Sequence, residues 1–188
     1  MCIRDSSYGG WTPRNGSHAR YGQQVPLKWA LQHSNNWISA SLITTLGPQQ
    51  FVGILHDFGL NNPDIDRNAT PVLSLGPCEV SVGEMVSAYT AFANGGVRCA
   101  PLFVTKIEDS HGNVIAKFQP LMTEVISEDN SYRMIDMMRA VIDGGTGSRL
   151  KGAYGMKGDI CGKTGTTNSN SDGWFIAFTP ELVSGAWV

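Results

Sequence analysis

The sequence predicts an α+β fold, and three observations predict it. Helical periodicity fills the first part of the chain, antiparallel β patterning clusters at its end, and 22 glycines break the 188 residues into short elements. Apolar residues make up 41% and charged residues only 16%, a core-forming balance that excludes global disorder. A chain of this length holds one domain or most of one.

The elements follow in order. Tyr8 to Gln24 is rich in Gly, Pro and Asn and reads as loop. From Pro26 to Leu46, apolar Leu27, Ala30, Leu31, Ile38 and Leu42 recur at helical spacing. His33-Ser34-Asn35-Asn36 interrupts them, which predicts a helix, a polar junction and a second helix. Pro48 to Phe58 predicts a short helix with Gly59 closing it. Asn61 to Pro71 reads as polar loop. Ser81 to Ala93 is helical, opened by a capping box of Ser81 and Glu84 and striped by Met85, Ala88, Tyr89 and Phe92. Phe103 to Glu108 and Val114 to Phe118 flank a turn and predict a hairpin. Ser127 to Ile142 predicts a helix with Met134, Ile135, Met138 and Val141 inward, stopped by Gly144-Gly145. Asp159 to Thr166, Gly173 to Thr179 and Leu182 to Val188 are predicted strands.

Several function classes drop out. A net charge of −2 gives no footprint for nucleic acid and no polybasic membrane patch. No apolar run approaches the roughly 18 residues of a membrane span. Cys2, Cys78, Cys99 and Cys161 form no C-x-x-C pair and point to neither zinc nor redox chemistry. A Cys78–Cys99 disulfide is open on spacing, with free thiols acting as small apolar residues as the plainer reading. His18, His33, His56 and His111 lack metal spacing and read as surface or capping residues. The end at Val188 falls within a predicted strand, so the chain reads as a piece of a longer protein.

Two motifs carry chemistry. Lys163-Thr164-Gly165-Thr166, entered on a strand, combines one cation, two hydroxyls and a residue without a Cβ. That set suits a carboxylate, with a backbone N–H left for an oxyanion, and an exposed edge there also suits strand addition by a peptide. Ser34-Asn35-Asn36 places a hydroxyl and an amide at a helix junction, where one passes a proton and the other holds a carbonyl; an ordinary helix cap is the plain alternative. Trp11 and Trp37 are open between groove lining and core packing, and Asp172 reads as a brace for the turn after Lys163 rather than an acid.

In this order the motifs resemble those of the penicillin-binding protein transpeptidases: S-x-x-K, then S-x-N, then K-T-G. Tyr8 to Asn15, Ala30 to Asn36, Leu75 to Gly96, Asp143-Gly144-Gly145-Thr146-Gly147 and Asp172-Gly173-Trp174-Phe175 extend the likeness over residues 8–188, most closely to the bifunctional (class A) type. The resemblance implies an antiparallel sheet flanked by helices plus a helical subdomain, incomplete here. It implies acyl transfer: a Ser attacks the D-Ala–D-Ala bond of a peptidoglycan stem peptide, releases D-Ala and passes the acyl group to another stem's amine. β-Lactam antibiotics mimic that dipeptide. Ser34 and Lys163 then join the proton network, Asn36 holds a substrate amide, Thr164 and Thr166 bind the terminal carboxylate beside Gly165, and the Thr166 N–H serves the oxyanion. The implied setting is the periplasmic face of the bacterial cell membrane, reached through an anchor outside this chain, with a glycosyltransferase domain in the parent protein, and the resemblance implies no metal or organic cofactor.

The nucleophile motif departs from the family. No S-x-x-K occurs in the 33 residues before Ser34. Ser148-Arg149-Leu150-Lys151 matches by letter, but 16 Ser and six Lys yield about half such a match by chance, and it follows a Gly-rich stretch after S-x-N. The nucleophile is therefore expected upstream, the chain alone is expected inactive, and a packing hole is expected where the nucleophile's helix belongs. Residues 1–7 match nothing in the family and read as a non-native lead-in. The rival reading is a non-catalytic penicillin-recognising sensor or degenerate scaffold; a serine β-lactamase is disfavoured by residues 11–15 and 143–147.

Overall fold

The computed structural model describes residues 7–15, 22–167 and 171–188. Cys2, His18 and most of residues 1–7, which were expected to be a lead-in, lie outside them. Two helices, α1 (Leu27–Gln32) and α2 (Asn36–Leu46), meet at the polar junction, and α3 (Pro48–Asp57) follows after Gly47. Gly59 ends α3 as expected: φ is 83° there, and the Leu60 N–H returns to Leu55 O at 2.9 Å.

The stretch 61–71 is not plain loop. It holds α4 (Pro63–Arg67) and runs into a 3₁₀ turn, Pro71–Leu75. Asn62 caps α4 through its side chain, Pro63 fills the first turn, and Asp64 and Asp66 face the positive end of the helix. Polarity misled here because a five-residue helix buries only Ile65.

Helix α5 (Val82–Ala93) opens on the expected capping box, with the Glu84 carboxylate accepting from both the Ser81 N–H and Oγ at 2.7 Å. Helix α6 (Glu128–Gly144) is capped by Ser127. Between them, β1 (Val97–Cys99) pairs with β4 (Met122–Glu124), and the expected hairpin forms as β2 (Lys106–Glu108) and β3 (Val114–Lys117). The pair β1–β4 was not foreseen, because three residues are too few to show alternation.

The site rests on the last sheet, antiparallel and ordered β5 (Cys161–Thr166), β6 (Gly173–Phe178), β7 (Val183–Trp187). Helices α5 and α6 cover one face. α6 packs on the sheet through Met138, against Cys161 of β5 and Phe178 of β6, and burying Met138 or Phe178 is worth about 1.5–3 kcal/mol each. α5 lies so close to β7 that a Cβ at Gly185 would stand 2.7 Å from Val86 Cγ2. A second core joins α2 to α5 through Ile43, Val52, Phe58, Ile65, Leu73 and Ala91. Cys78, Cys99 and Cys161 are free thiols, so no Cys78–Cys99 disulfide forms.

Candidate active site

The helix junction sets the first wall of a cleft. After α1, the Asn35 N–H donates to Ala30 O at 2.9 Å and the Ser34 N–H to Leu31 O at 3.2 Å. This is the Schellman arrangement, whose left-handed position is normally glycine. Here it is Ser34, at φ 50°, the one non-glycine residue with positive φ among those described. The conformation costs about 1–2 kcal/mol for an L-residue and turns the hydroxyl out of the helix axis.

The helix cap falls to the middle residue of the motif. Asn35 is buried and its side chain accepts from the Ile38 N–H at 3.1 Å, while its carbonyl accepts from Ser39 Oγ. Ser34 and Asn36 are thereby released from capping. Asn36 is clamped from outside: its N–H donates to Asn15 Oδ1 and its Nδ2 to Arg14 O, both at 2.6 Å. Trp37 Nε1 donates to Pro13 O at 2.7 Å, so Trp37 is a core residue that pins this clamp. Trp11 packs against Tyr8 in a turn. The side chain of Asn36 makes no further hydrogen bond among the described residues, which leaves its oxygen and second N–H for a ligand.

The second wall is the free edge of β5. Thr167 N–H bonds Asp172 O, and Gly173 exchanges both backbone bonds with Val188 on the far side. By the alternation of antiparallel ladders, the N–H and C=O of Thr164 and Thr166 point away from β6, into the open edge. The Thr166 side chain is exposed. Gly165 has a second reason to lack a side chain: a Cβ there would sit 3.0 Å from Trp174 Cβ across the ladder. Asp172 braces the turn as expected, accepting from Thr167 Oγ1 at 2.8 Å and from Trp187 Nε1 at 3.0 Å.

The walls meet at Lys163. Its Nζ donates to Ser34 Oγ, 129 residues away in sequence, and to Thr164 O at 2.9 Å. Burial pushes the amine down to about 8, because a charged ammonium loses its water there. The Thr164 hydroxyl lies 2.6 Å from that of Thr146, a contact no motif had marked.

Beside Lys163 opens an apolar cavity of about 260 Å³, walled by Leu31, Phe51, Phe58, Tyr89 and Met138.

The other candidates resolve simply. Ser148 stands just before the four-residue α7 (Arg149–Gly152) without a side-chain cap bond, and Lys151 pairs with Asp143 at 2.7 Å. His33 stacks on Trp29 and donates from Nδ1 to its carbonyl; His56 faces Asp66. Glu84 is spent in its cap. No group of metal-ligating residues occurs among the described residues.

Comparison with known proteins agrees with this geometry. Residues 3–184 match the family described as Transpeptidase: Penicillin binding protein transpeptidase domain. Penicillin-binding protein 1A of Aquifex aeolicus is 35% identical over 178 residues, covering 95% of this chain and 23% of that protein. The protein of the same name from Neisseria cinerea is 35% identical over 187 residues, covering 95% of this chain and 22% of its own length. The crystal structure of Penicillin-Binding Protein 1A from Haemophilus influenzae superposes with a TM-score of 0.86 at 26% identity, covering 98% of this chain and 34% of that one. An imipenem acyl-enzyme complex of penicillin-binding protein A from M. tuberculosis shares the fold at a TM-score of 0.80 and 19% identity, covering 100% of this chain and 48% of that one. The chain thus spans about a quarter of the length of the curated relatives it matches. By matched length, by fold and by identity, the chain belongs to the penicillin-binding protein transpeptidase domain family.

Proposed function

We propose that this chain supplies the substrate-gripping walls of a serine-type D-alanyl-D-alanine transpeptidase, within a longer bifunctional (class A) penicillin-binding protein. The observation that carries the reading is the contact of Lys163 Nζ with Ser34 Oγ, which joins the two motifs across one cleft. Peptidoglycan stem peptides are the substrates, and β-lactams compete for the same grip.

The residues divide the work by chemistry. A stem peptide adds along the β5 edge, where the backbone of Thr164 and Thr166 faces outward. Its terminal carboxylate accepts from the hydroxyls of Thr164 and Thr166 in the field of Lys163. Asn36, held still by Arg14 and Asn15, offers its amide to a substrate carbonyl or amide. The Thr166 N–H serves as one donor to the oxyanion of the tetrahedral intermediate. Ser34 and Lys163 carry the proton to the departing D-Ala amine.

The attacking Ser comes, in this reading, from an S-x-x-K segment ahead of Ser34 in the longer protein. Two features support this: the pair does not occur in the 33 residues before Ser34, and the apolar cavity beside Lys163 suits a helix that brings it. The same protein carries the glycosyltransferase domain and the membrane anchor, and works on the periplasmic face. No helix among the described residues is long and apolar enough to cross a membrane.

A fluorescent penicillin tests the proposal on two proteins, the longer reading frame and the 188-residue chain alone. The longer protein is expected to take one covalent label at a Ser ahead of residue 34, and the short chain none. Label at Ser148 of the short chain would overturn the assignment. An unlabelled longer protein would point to a sensor or scaffold.

A further inference from the structure

We infer that Thr146 is a positioning residue that sets the direction in which the Thr164 hydroxyl donates, and with it the grip on a substrate carboxylate. The inference rests on the transpeptidase reading above.

Thr146 lies in the Gly144-Gly145-Thr146-Gly147 turn that leaves α6, wedged between the two walls. A Cβ on Gly145 would stand 2.7 Å from Gln32 Cγ and 2.9 Å from Val141 Cα, and one on Gly147 would stand 2.8 Å from Ile142 Cδ1. The glycines on either side of Thr146 thus let the turn press against both α1 and α6. Thr146 then touches each wall of the cleft. Its N–H donates to Gln32 O at 3.2 Å, two residues before Ser34, and its hydroxyl meets Thr164 Oγ1 at 2.6 Å.

The chemistry of two hydroxyls makes the contact directional. Each has one proton and can accept from others, so at this distance one donates to the other. If Thr164 donates to Thr146, it has no proton for a ligand. If Thr146 donates to Thr164, the Thr164 proton is released toward the open edge and its O–H is polarised. A carboxylate only accepts, so it selects the second state. Among the described residues the Thr146 hydroxyl has no other hydrogen-bond partner, so nothing there competes for its proton. Thr146 acts as the donor behind the donor, without touching the ligand itself.

The test uses the longer protein and compares a penicillin free acid with its methyl ester. The second-order rate constant of acylation is read for wild type, Thr146→Val and Thr146→Ser. Thr146→Val is expected to slow the acid about tenfold and the ester less than twofold. Thr146→Ser is expected to restore the acid rate, and the acid-to-ester ratio should follow the hydroxyl. An unchanged ratio in Thr146→Val overturns the inference, as does an equal loss for acid and ester, which would mark structural support alone. Should Thr146→Val not fold, Thr146→Ala carries the same comparison. A wild type that the acid does not acylate overturns the transpeptidase reading and this inference together, and that result appears before any variant is made.

Discussion

The two walls of the cleft arrive at the same point by opposite means. The strand wall is ordinary: Lys163, Thr164 and Thr166 stand on a regular antiparallel edge, and register alone decides where they point. The helical wall is exceptional: Ser34 holds a left-handed backbone, Asn35 caps from inside, and Asn36 is tied to a separate segment. The difference teaches where substitutions register. On the strand they strike chemistry and leave the fold intact. At the junction they strike the fold first.

Lys163→Met in the longer protein breaks the strand wall most sharply. Penicillin acylation should fall by about 10²–10³, the loss typical of one preorganised donor. The thermal midpoint should not fall, because Met keeps the buried methylenes and removes a desolvated amine. Rapid-mixing acylation and thermal melts check both halves. A lowered midpoint would show that the strand wall, too, is structural.

Asn35→Ala tests the other wall. It removes a buried cap and should cost about 1–2 kcal/mol in urea unfolding. Thr166→Val, exposed on the strand, should stay within about 0.5 kcal/mol of wild type. Equal losses would erase the contrast.

A further contrast is in pH. Burial holds the Lys163 amine at about 8 when folded, below the ordinary 10.5. Between those values the unfolded chain binds more protons, so this group's contribution to stability rises with pH, and its penalty is fully present below about 8. Tyr89, Cys78 and Cys161, all raised by burial, act in the opposite direction. The difference between wild type and Lys163→Met, by urea unfolding from pH 7.5 to 10, isolates the lysine. A difference flat with pH would mean an amine with its usual affinity.

Legibility in the sequence followed the same division. The strand wall was plain from its residues, because a period of two fixes faces once the edge is known. The capping box at Ser81 and Glu84 and the hairpin at 109–113 were equally plain, each being a local pattern with one solution. The helical wall was legible only as an interruption. Ser34 and Asn36 were marked, but Asn35, which bears the cap, was passed over. Its signal was present: an Asn one residue ahead of the Asn36-Trp37-Ile38 run reads as an N-cap. Asn62 before Pro63 gave the same signal for α4. Arg14 and Asn15 act through a carbonyl and a side chain 21 or 22 residues from Asn36, and no local pattern announces that. Thr146 was one letter in a turn; its partner, 18 residues on, emerged only when the turn was seen against β5.

The backbone at position 34 carries one further consequence. Judged by torsion angles alone, glycine is the natural occupant, and an optimiser rewarding conformational ease would install it. Such a redesign would relieve the left-handed backbone, yet it would delete the oxygen that meets the lysine. Sites of this kind are best recognised by the residue that sits there against its own preference.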